Sequence, residues 1–492
     1  MKEPSEGSSS TALSDSVHEL TPLVQRNGHP RDISAADQGA RNFTRFSFIF
    51  AANPCAALAC MSLATARLGK VGAFSSVMLY FTYTLSSVMG ATYVVKELGG
   101  RNAMILGMSL FCCYVSCFWI AACYPEIAAV SAASGAFIGG IGAGILWTAQ
   151  GSYFSSASEE HALNLGCEWT ECTSSLSGTF AFAYLIEETC LHVSSYFLLD
   201  WGVPWTTIFA IYSIIAVLSV VLMFTVKNYP PSQKIGINAS ESKYYSATAA
   251  FNLLLRDRKM KFLVGLSAAF GFAGSFLNSF VSGEVIAIAL GDSESKTVGL
   301  FVSWTAAVAA FSSLVFGKIS HDYGKAPVMI FGYTAFSLVA MPFVIRPDLS
   351  TWTWKLLLVV YACQGIGRAT FESTVKATFA DLYPYEKEGA FANIILQNGL
   401  CGAFGYALSF ILMCTTEGSY CIKYTNGTLH DVLTFELVVC SSAIIAVLGY
   451  LHAMSIQEEE ENGRIGDSKI KKYHMDSVNA FRKTRETDAS KC

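Results

Sequence analysis

Charge is what this chain has least of. Only 14% of its 492 residues are Asp, Glu, Lys or Arg, against about 25% in soluble proteins, while 52% are hydrophobic. A chain so poor in charge is solvated mainly by lipid, which excludes a soluble globular domain and a basic nucleic-acid-binding face. Catalytic signatures are missing as well. There is no Walker loop, no G-x-S-x-G and no HExxH, so the expectation is not an enzyme. Cysteine is plentiful, at fifteen, yet no CxxC or His/Cys spacing suits zinc, and neither a metal nor a cofactor is expected. Cys55, Cys60, Cys112, Cys113, Cys117, Cys363, Cys401 and Cys440 fall in apolar runs, where cysteine serves as a small packing residue. Cys414 and Cys421 bracket one short loop and can pair there. No apolar stretch follows Met1, so a cleavable signal peptide is not expected.

What the chain does have is a repeat. Gly99 and Gly324 are 225 positions apart, and at the same offset Met104-Ile105 meets Met329-Ile330, Gly107 meets Gly332, and Gly140-Ile141-Gly142 meets Gly365-Ile366-Gly367. The alignment holds without a gap to Phe154 and Phe379, and slips by one where Leu176-Ser-Gly178 meets Leu400-Cys-Gly402. Two related halves in an apolar chain describe a duplicated membrane bundle, with any site between the halves.

Stretches of about 18 to 25 apolar residues fit one helical crossing of the hydrocarbon core. Twelve are expected, near 46–66, 73–95, 102–123, 127–150, 173–197, 203–226, 260–284, 297–317, 327–345, 355–379, 390–414 and 431–454. The fold class is therefore an all-α membrane protein with twelve spans in two pseudo-symmetric six-helix halves. Its parts are a disordered tail at 1–44, a first half at 45–226, a linker at 227–259, a second half at 260–454 and a disordered tail at 455–492. Arg26, Arg31, Arg41 and Arg45 precede the first span, Lys and Arg crowd 227–261, and Arg464, Lys469, Lys471, Lys472, Arg482, Lys483 and Arg485 lie in the final tail. The positive-inside bias then puts both termini and the linker in the cytosol.

The tails carry little else. Glu19-Leu-Thr-Pro-Leu23-Val24 resembles an acidic dileucine sorting signal, with Val in place of the second Leu, and disordered tail is the plainer reading. The membrane is therefore the plasma membrane or an endolysosomal one. Asn426-Gly-Thr428 is a glycosylation sequon on the non-cytosolic side, whereas Asn238-Ala-Ser240 lies on the cytosolic side.

Two loops anchor the repeat: Lys96-Glu97-Leu-Gly99-Gly-Arg101, and Gly317-Lys-Ile-Ser-His321-Asp322-Tyr-Gly324-Lys325. They resemble the signature loop of the major facilitator superfamily, in which glycine permits a tight turn while an acid and a base lock neighbouring helix ends. In both copies the acid is displaced by one position, with Lys96 or His321 in its place. Within that superfamily, Gly142-Ala-Gly-Ile-Leu-Trp147-Thr-Ala-Gln150-Gly151-Ser-Tyr153 and Lys387-Glu388-Gly-Ala390-Phe391-Ala392-Asn393, with Phe404 and Tyr406 following, resemble the unc-93-like (uncoordinated-93) family. The resemblance spans most of 45–454. It implies regulation of a potassium channel or escort of an innate immune receptor, and hence an ion channel or receptor as partner.

The ionisable residues of the spans are the other candidates. Arg368, Glu372 and Lys376 recur at i, i+4 and i+8 and share one helix face. Charge at membrane depth is costly unless paired or wetted. The three residues form either an internal ladder pinning the helix or a gating or anion-coordinating site in a central cavity. Their repeat partners Ala143 and Trp147 are uncharged, so one half alone carries the feature. Glu187, Glu188 and His192 form the second cluster. Glu188 and His192, one turn apart, can share a proton as coupling residues do in transporters; the repeat equally places Glu187 near the outer rim. Glu284 and Glu436 read as interfacial carboxylates.

Trp147 and Gln150, and Asn53 with Asn278 at the repeat offset, are the remaining candidates for the central cavity. Pro54 is expected to break or kink the first span there. Gly135, Gly139, Gly140, Gly142 and Gly144 suit close helix packing. Two functions follow. One is a regulatory or trafficking subunit for a channel or receptor; the alternative is a secondary transporter of a small solute by alternating access, with proton coupling as one form of it.

Overall fold

The computed structural model describes residues 33–68, 70–229, 249–292, 297–384, 386–412, 414–416, 419–421 and 432–489. The backbone there is helical almost throughout, because a chain in lipid has to satisfy its own N–H and C=O groups. Helix α1 (Ile33–Leu68) is followed by α2 (Lys70–Ser86), which passes through a π-turn at Ser87–Ala91 into α3 (Thr92–Leu98). Next come α4 (Gly100–Cys123), α5 (Ala128–Leu165), α6 (Trp169–Asp200) and α7 (Trp205–Met223). The second half opens with α8 (Ala249–Arg256) and α9 (Arg258–Ser275), whose π segment Phe276–Val285 leads into α10 (Ile286–Leu290). Helices α11 (Val298–Tyr323), α12 (Ala326–Ile345) and α13 (Trp354–Thr370) follow; a π-turn at Phe371–Val375 joins α13 to α14 (Lys376–Leu382). Helix α15 (Lys387–Leu412) and a small antiparallel hairpin of β1 (Cys414–Thr416) and β2 (Ser419–Cys421) precede α16 (Leu433–Ala489). The hairpin register sets Cys414 opposite Cys421. Among the described residues, eight helical stretches are long and apolar enough to cross a membrane.

The repeat in sequence is a repeat in shape. Helix α3 ends on Gly99 and α11 on Gly324, with φ of 78° and 81° and ψ of 160° and 175°. That region of backbone space is essentially closed to residues with a Cβ, which is why both loops keep glycine at this one place. Matching 3-10 turns follow at Pro125–Ile127 and Leu349–Thr351.

Each half has an aromatic core. In the first, Phe46 lies 4.3 Å from Tyr153 and Phe50 lies 5.6 Å from Phe180, between ring centroids. In the second, Phe270 stacks on Phe371 at 3.9 Å and Phe343 on Trp352 at 4.0 Å. Helix α6 runs along α11, and α15 packs against both α2 and α5, so these elements form the seam between halves. At the seam Gly178 of α6 faces Gly317 of α11. A methyl group added to Gly178 would stand 3.0 Å from the Ser313 carbonyl oxygen and 3.1 Å from Gly317 Cα. Gly317 is thus a packing residue inside a helix rather than part of a loop, and the two backbones touch as small-residue contacts allow.

One expectation is corrected, and the helices reach past the limits read from the sequence. Pro54 does not break the first span, because α1 continues through it. Helix already begins at Ile33, inside the tail expected as disordered, and part of the linker forms α8. The final tail also continues α16 as far as Ala489. Glutamate and lysine are good helix formers, and Lys259 fastens the start of the extension through Gln457 at 2.7 Å and Glu460 at 2.8 Å. Residues 1–32, with the dileucine-like stretch, and both sequons, Asn238 and Asn426, lie outside the described residues.

Because the seam has no room at Gly178, Gly178→Val should overpack it and cost about 1–3 kcal/mol. Thermal unfolding in detergent should show a lower midpoint for Gly178→Val. Gly299→Ala, at the open start of α11, should leave the midpoint unchanged or raise it.

Candidate functional site

The site grows from a helix with a widened turn. Helices α13 and α14 are one rod interrupted by the π-turn Phe371–Val375, and such insertions are frequent at functional positions. Arg368 precedes the turn, Glu372 lies within it and Lys376 follows it. Lys376 and Glu372 are each 6% exposed and their charges meet at 2.7 Å, Nζ to Oε2. The geometry is that of a charge contact rather than an aligned hydrogen bond, and neither atom has another hydrogen-bond partner. The Lys376 ammonium also sits 4.7 Å above the centroid of the Trp147 ring and 5.1 Å above that of Phe180. A desolvated cation gains from aromatic faces placed so. Trp147, the repeat counterpart of Glu372, therefore answers the charge of the other half with a π-system.

Arg368 reaches further. Its guanidinium donates two parallel hydrogen bonds to Glu188 of α6, Nη1 to Oε1 at 2.8 Å and Nη2 to Oε2 at 2.5 Å. Such a forked pair is among the stronger charge-assisted contacts and fixes geometry as well as energy. The pair joins the second half to the first. It also brings together two clusters that lie 180 positions apart in the chain.

Of the proton-coupling candidates, Glu188 is 3% exposed, and its carboxylate is engaged by Arg368. His192 approaches it through the main chain, with Nδ1 donating to the Glu188 carbonyl oxygen at 2.9 Å. Glu187 is half-buried and its Oε2 is without a hydrogen-bond partner. The cavity candidates separate. Gln150 is 1% exposed with both amide atoms unpartnered, one turn along α5 from Trp147. Asn53 is drawn away, donating to the carbonyl oxygens of Met108 at 3.3 Å and Ala216 at 3.1 Å; it ties α1 to α4 and α7 instead of lining the centre. Asn278 lies in the long π segment and donates to the Tyr406 hydroxyl at 3.3 Å, and Tyr406 in turn meets Tyr80 of α2 at 5.8 Å between centroids. Glu284 and Glu436, expected at the interface, are buried at 7% and 3% exposure.

The signature loops lie at one end of the bundle, where the halves are clasped. Lys325 pairs with Asp381 at the end of α14, not with Asp322; Thr173, at the start of α6, donates to Asp381 Oδ1 at 2.8 Å. Asp322 is within 3.9 Å of His321. Lys96 pairs with Glu386 across the seam at 3.5 Å. Glu97 precedes the Gly99 turn, and Arg101 stays in its own half, donating to the Val226 carbonyl oxygen at 3.1 Å. Two further links cross the seam: Ser152 donates to Glu388 Oε1 at 2.9 Å and Lys387 donates to Ser156 at 2.7 Å. Sequence reasoning passed over Thr173, Asp381, Glu386 and Glu388 as site residues. The run of charge from Asp381 to Glu388, directly after an apolar span, was the available signal.

The sequence and the fold have counterparts. A family model described as the ion channel regulatory protein UNC-93 matches residues 69–417. The chain belongs to the UNC-93 family. It is 22% identical to UNC93-like protein 3 of Arabidopsis thaliana over 414 residues, covering 80% of this chain and 85% of that one. Against protein unc-93 homolog A of Bos taurus it is 24% identical over 368 residues, covering 67% of this chain and 78% of the relative. Among solved structures, the major facilitator superfamily transporter FucP in the outward conformation aligns with a TM-score of 0.60 at 14% identity, covering 85% of this chain and 99% of that one. A bacterial homologue of the iron transporter ferroportin, in an outward-facing state, gives 0.58 at 12% identity, covering 85% and 99%. The UNC-93 chain is thus a multi-pass membrane protein of major-facilitator-like fold.

The clasp contains both a buried and an exposed ion pair, and they should not weigh equally. Asp381→Asn leaves Lys325, whose side chain is 12% exposed, without its counter-ion and should cost about 3 kcal/mol. Lys96→Ala removes a contact to a half-exposed Glu386 and should cost less than about 1 kcal/mol. Denaturant titration of the two purified variants in the same detergent checks the order.

Proposed function

We propose that this chain acts as a regulatory or trafficking subunit for an ion channel, a potassium channel in the first instance, or for a membrane receptor. The observation that carries the reading is the match to the UNC-93 family over residues 69–417, which takes in the helices from α2 to α15. On this reading twelve helices span the membrane. The four beyond the eight long apolar stretches are α2–α3, α6, α13–α14 and α15, which hold the π-turns or the charges. Both termini and the clasped end face the cytosol, in keeping with the Lys- and Arg-rich segments there. Partner contacts fall to the lipid-facing helix surfaces and the tails. Affinity purification of the tagged protein from its own cells in mild detergent, with mass spectrometry against a tag-matched membrane control, tests it. A channel or receptor at near-equal stoichiometry is the expected result; a lone monomer would count against the reading.

A second reading is favoured by one specific observation: two buried ion pairs at the junction of the halves, one of which crosses it. A passive scaffold has no need of charges there, whereas a transporter rocking about a central site uses them. A small solute would then compete for Arg368, with Glu372 and Lys376 beside it, and proton movement would involve Glu187, Glu188 or His192. Glu372→Gln should abolish flux of a cognate solute in proteoliposomes while expression and folding survive, and Arg368→Ala should abolish it at a cost in stability. Normal flux in both variants would remove the transport role from these residues.

A further inference from the structure

Cys167 and Cys172 flank the turn between α5 and α6. Gly166 ends α5 in the left-handed region at φ 64°, the chain reverses through Cys167 and Glu168, and α6 begins at Trp169. The reversal brings the two sulfurs into direct contact, 2.7 Å apart. Cys172 is 4% exposed, whereas Cys167 is partly open to solvent. An oxidant therefore meets Cys167 first, with the second thiol already against it.

The same turn is mechanically connected. Thr173 follows Cys172 directly, and its hydroxyl holds Asp381, which Lys325 also holds. Thr173 is the first-half member of that clasp, so whatever fixes the start of α6 fixes one jaw of the link between halves.

We propose that Cys167 and Cys172 are a reversible, peroxide-responsive modification site whose disulfide stiffens the clasp between the halves. In the first step the Cys167 thiolate attacks one peroxide oxygen, the O–O bond breaks, and sulfenic acid and hydroxide result. In the second, Cys172 sulfur displaces the hydroxyl from the Cys167 sulfur, forming the S–S bond and releasing water. Two thiols and one peroxide become one disulfide and two waters; sulfur is oxidised and peroxide oxygen is reduced. On the Lys- and Arg-rich side of the membrane ambient thiols return the pair to its reduced form, which is the behaviour of a sensor rather than a permanent staple. The site depends on neither functional reading above.

The test uses the full chain, purified in mild detergent under reductant and then exposed to hydrogen peroxide after reductant removal. Free thiols are capped with N-ethylmaleimide, and the peptide carrying both cysteines is read by mass spectrometry. The expected peptide is lighter by two hydrogens, refuses the cap, and regains both capping sites after dithiothreitol. In Cys172→Ser, Cys167 should stall as a sulfenic acid that dimedone captures. Two capped cysteines after peroxide, or sulfinic acid accumulating at Cys167 in the unaltered protein, would overturn the modification site. Hydrogen exchange on the same samples reads the clasp: slower exchange near Thr173 and Asp381 in the oxidised form is expected, and equal exchange in both forms would overturn the coupling.

Discussion

A guanidinium within a membrane bundle has to be answered by an anion, and in this protein the answer comes from the other half of the molecule. An unanswered arginine at the centre of a membrane helix costs about 2.5–3.5 kcal/mol on insertion scales. Glu188 meets Arg368 with two parallel hydrogen bonds, and neither α6 nor the α13–α14 rod can shift without disturbing that fork. The remaining architecture serves this constraint. The seam glycines Gly178 and Gly317 let α6 and α11 approach closely, which carries Glu188 to the junction. The π-turn re-aims Glu372 and Lys376 beside the pair, and Trp147 and Phe180 cover the second cation.

At the clasped end the same logic is applied with more water nearby. Lys325, Asp381 and Thr173 form a closed link, whereas Lys96 and Glu386 are exposed enough for solvent to screen them. The protein therefore joins its halves at two levels of strength: a forked pair in the interior and a graded set of contacts at one end. Elements with two such levels suit either a body that rocks between states or one whose state a partner reads. The family match favours the second use, and the buried charges keep the first open.

What was legible in the sequence was whatever local geometry forces. Gly99 and Gly324 recur because one backbone conformation tolerates glycine alone, so the duplication and the loops could be read directly. The helical body and its membrane character follow from composition. Arg368, Glu372 and Lys376 could be singled out because charge is expensive in lipid. Their partners could not, since helical spacing suggests only neighbours on the same rod. It therefore offered His192 to Glu188, when the carboxylate belongs to Arg368 on a different helix. Asn53 differs for a related reason: a polar side chain in an apolar span suggests a cavity, yet its amide nitrogen is spent on the carbonyls of two packed helices. Asp381 and Thr173 resemble ordinary helix-end residues until the two halves are assembled.

The measurement that bears most directly on this account is a double-mutant cycle on the interior pair. Glu188→Gln, Arg368→Gln and the double variant would be unfolded in one detergent system, with stabilities compared to the unaltered protein. A forked pair holding the halves predicts two costly single variants and a double variant less damaged than their sum by about 2 kcal/mol. Costs that add to within about 0.5 kcal/mol would mean that Arg368 and Glu188 act independently, and the central claim would fail.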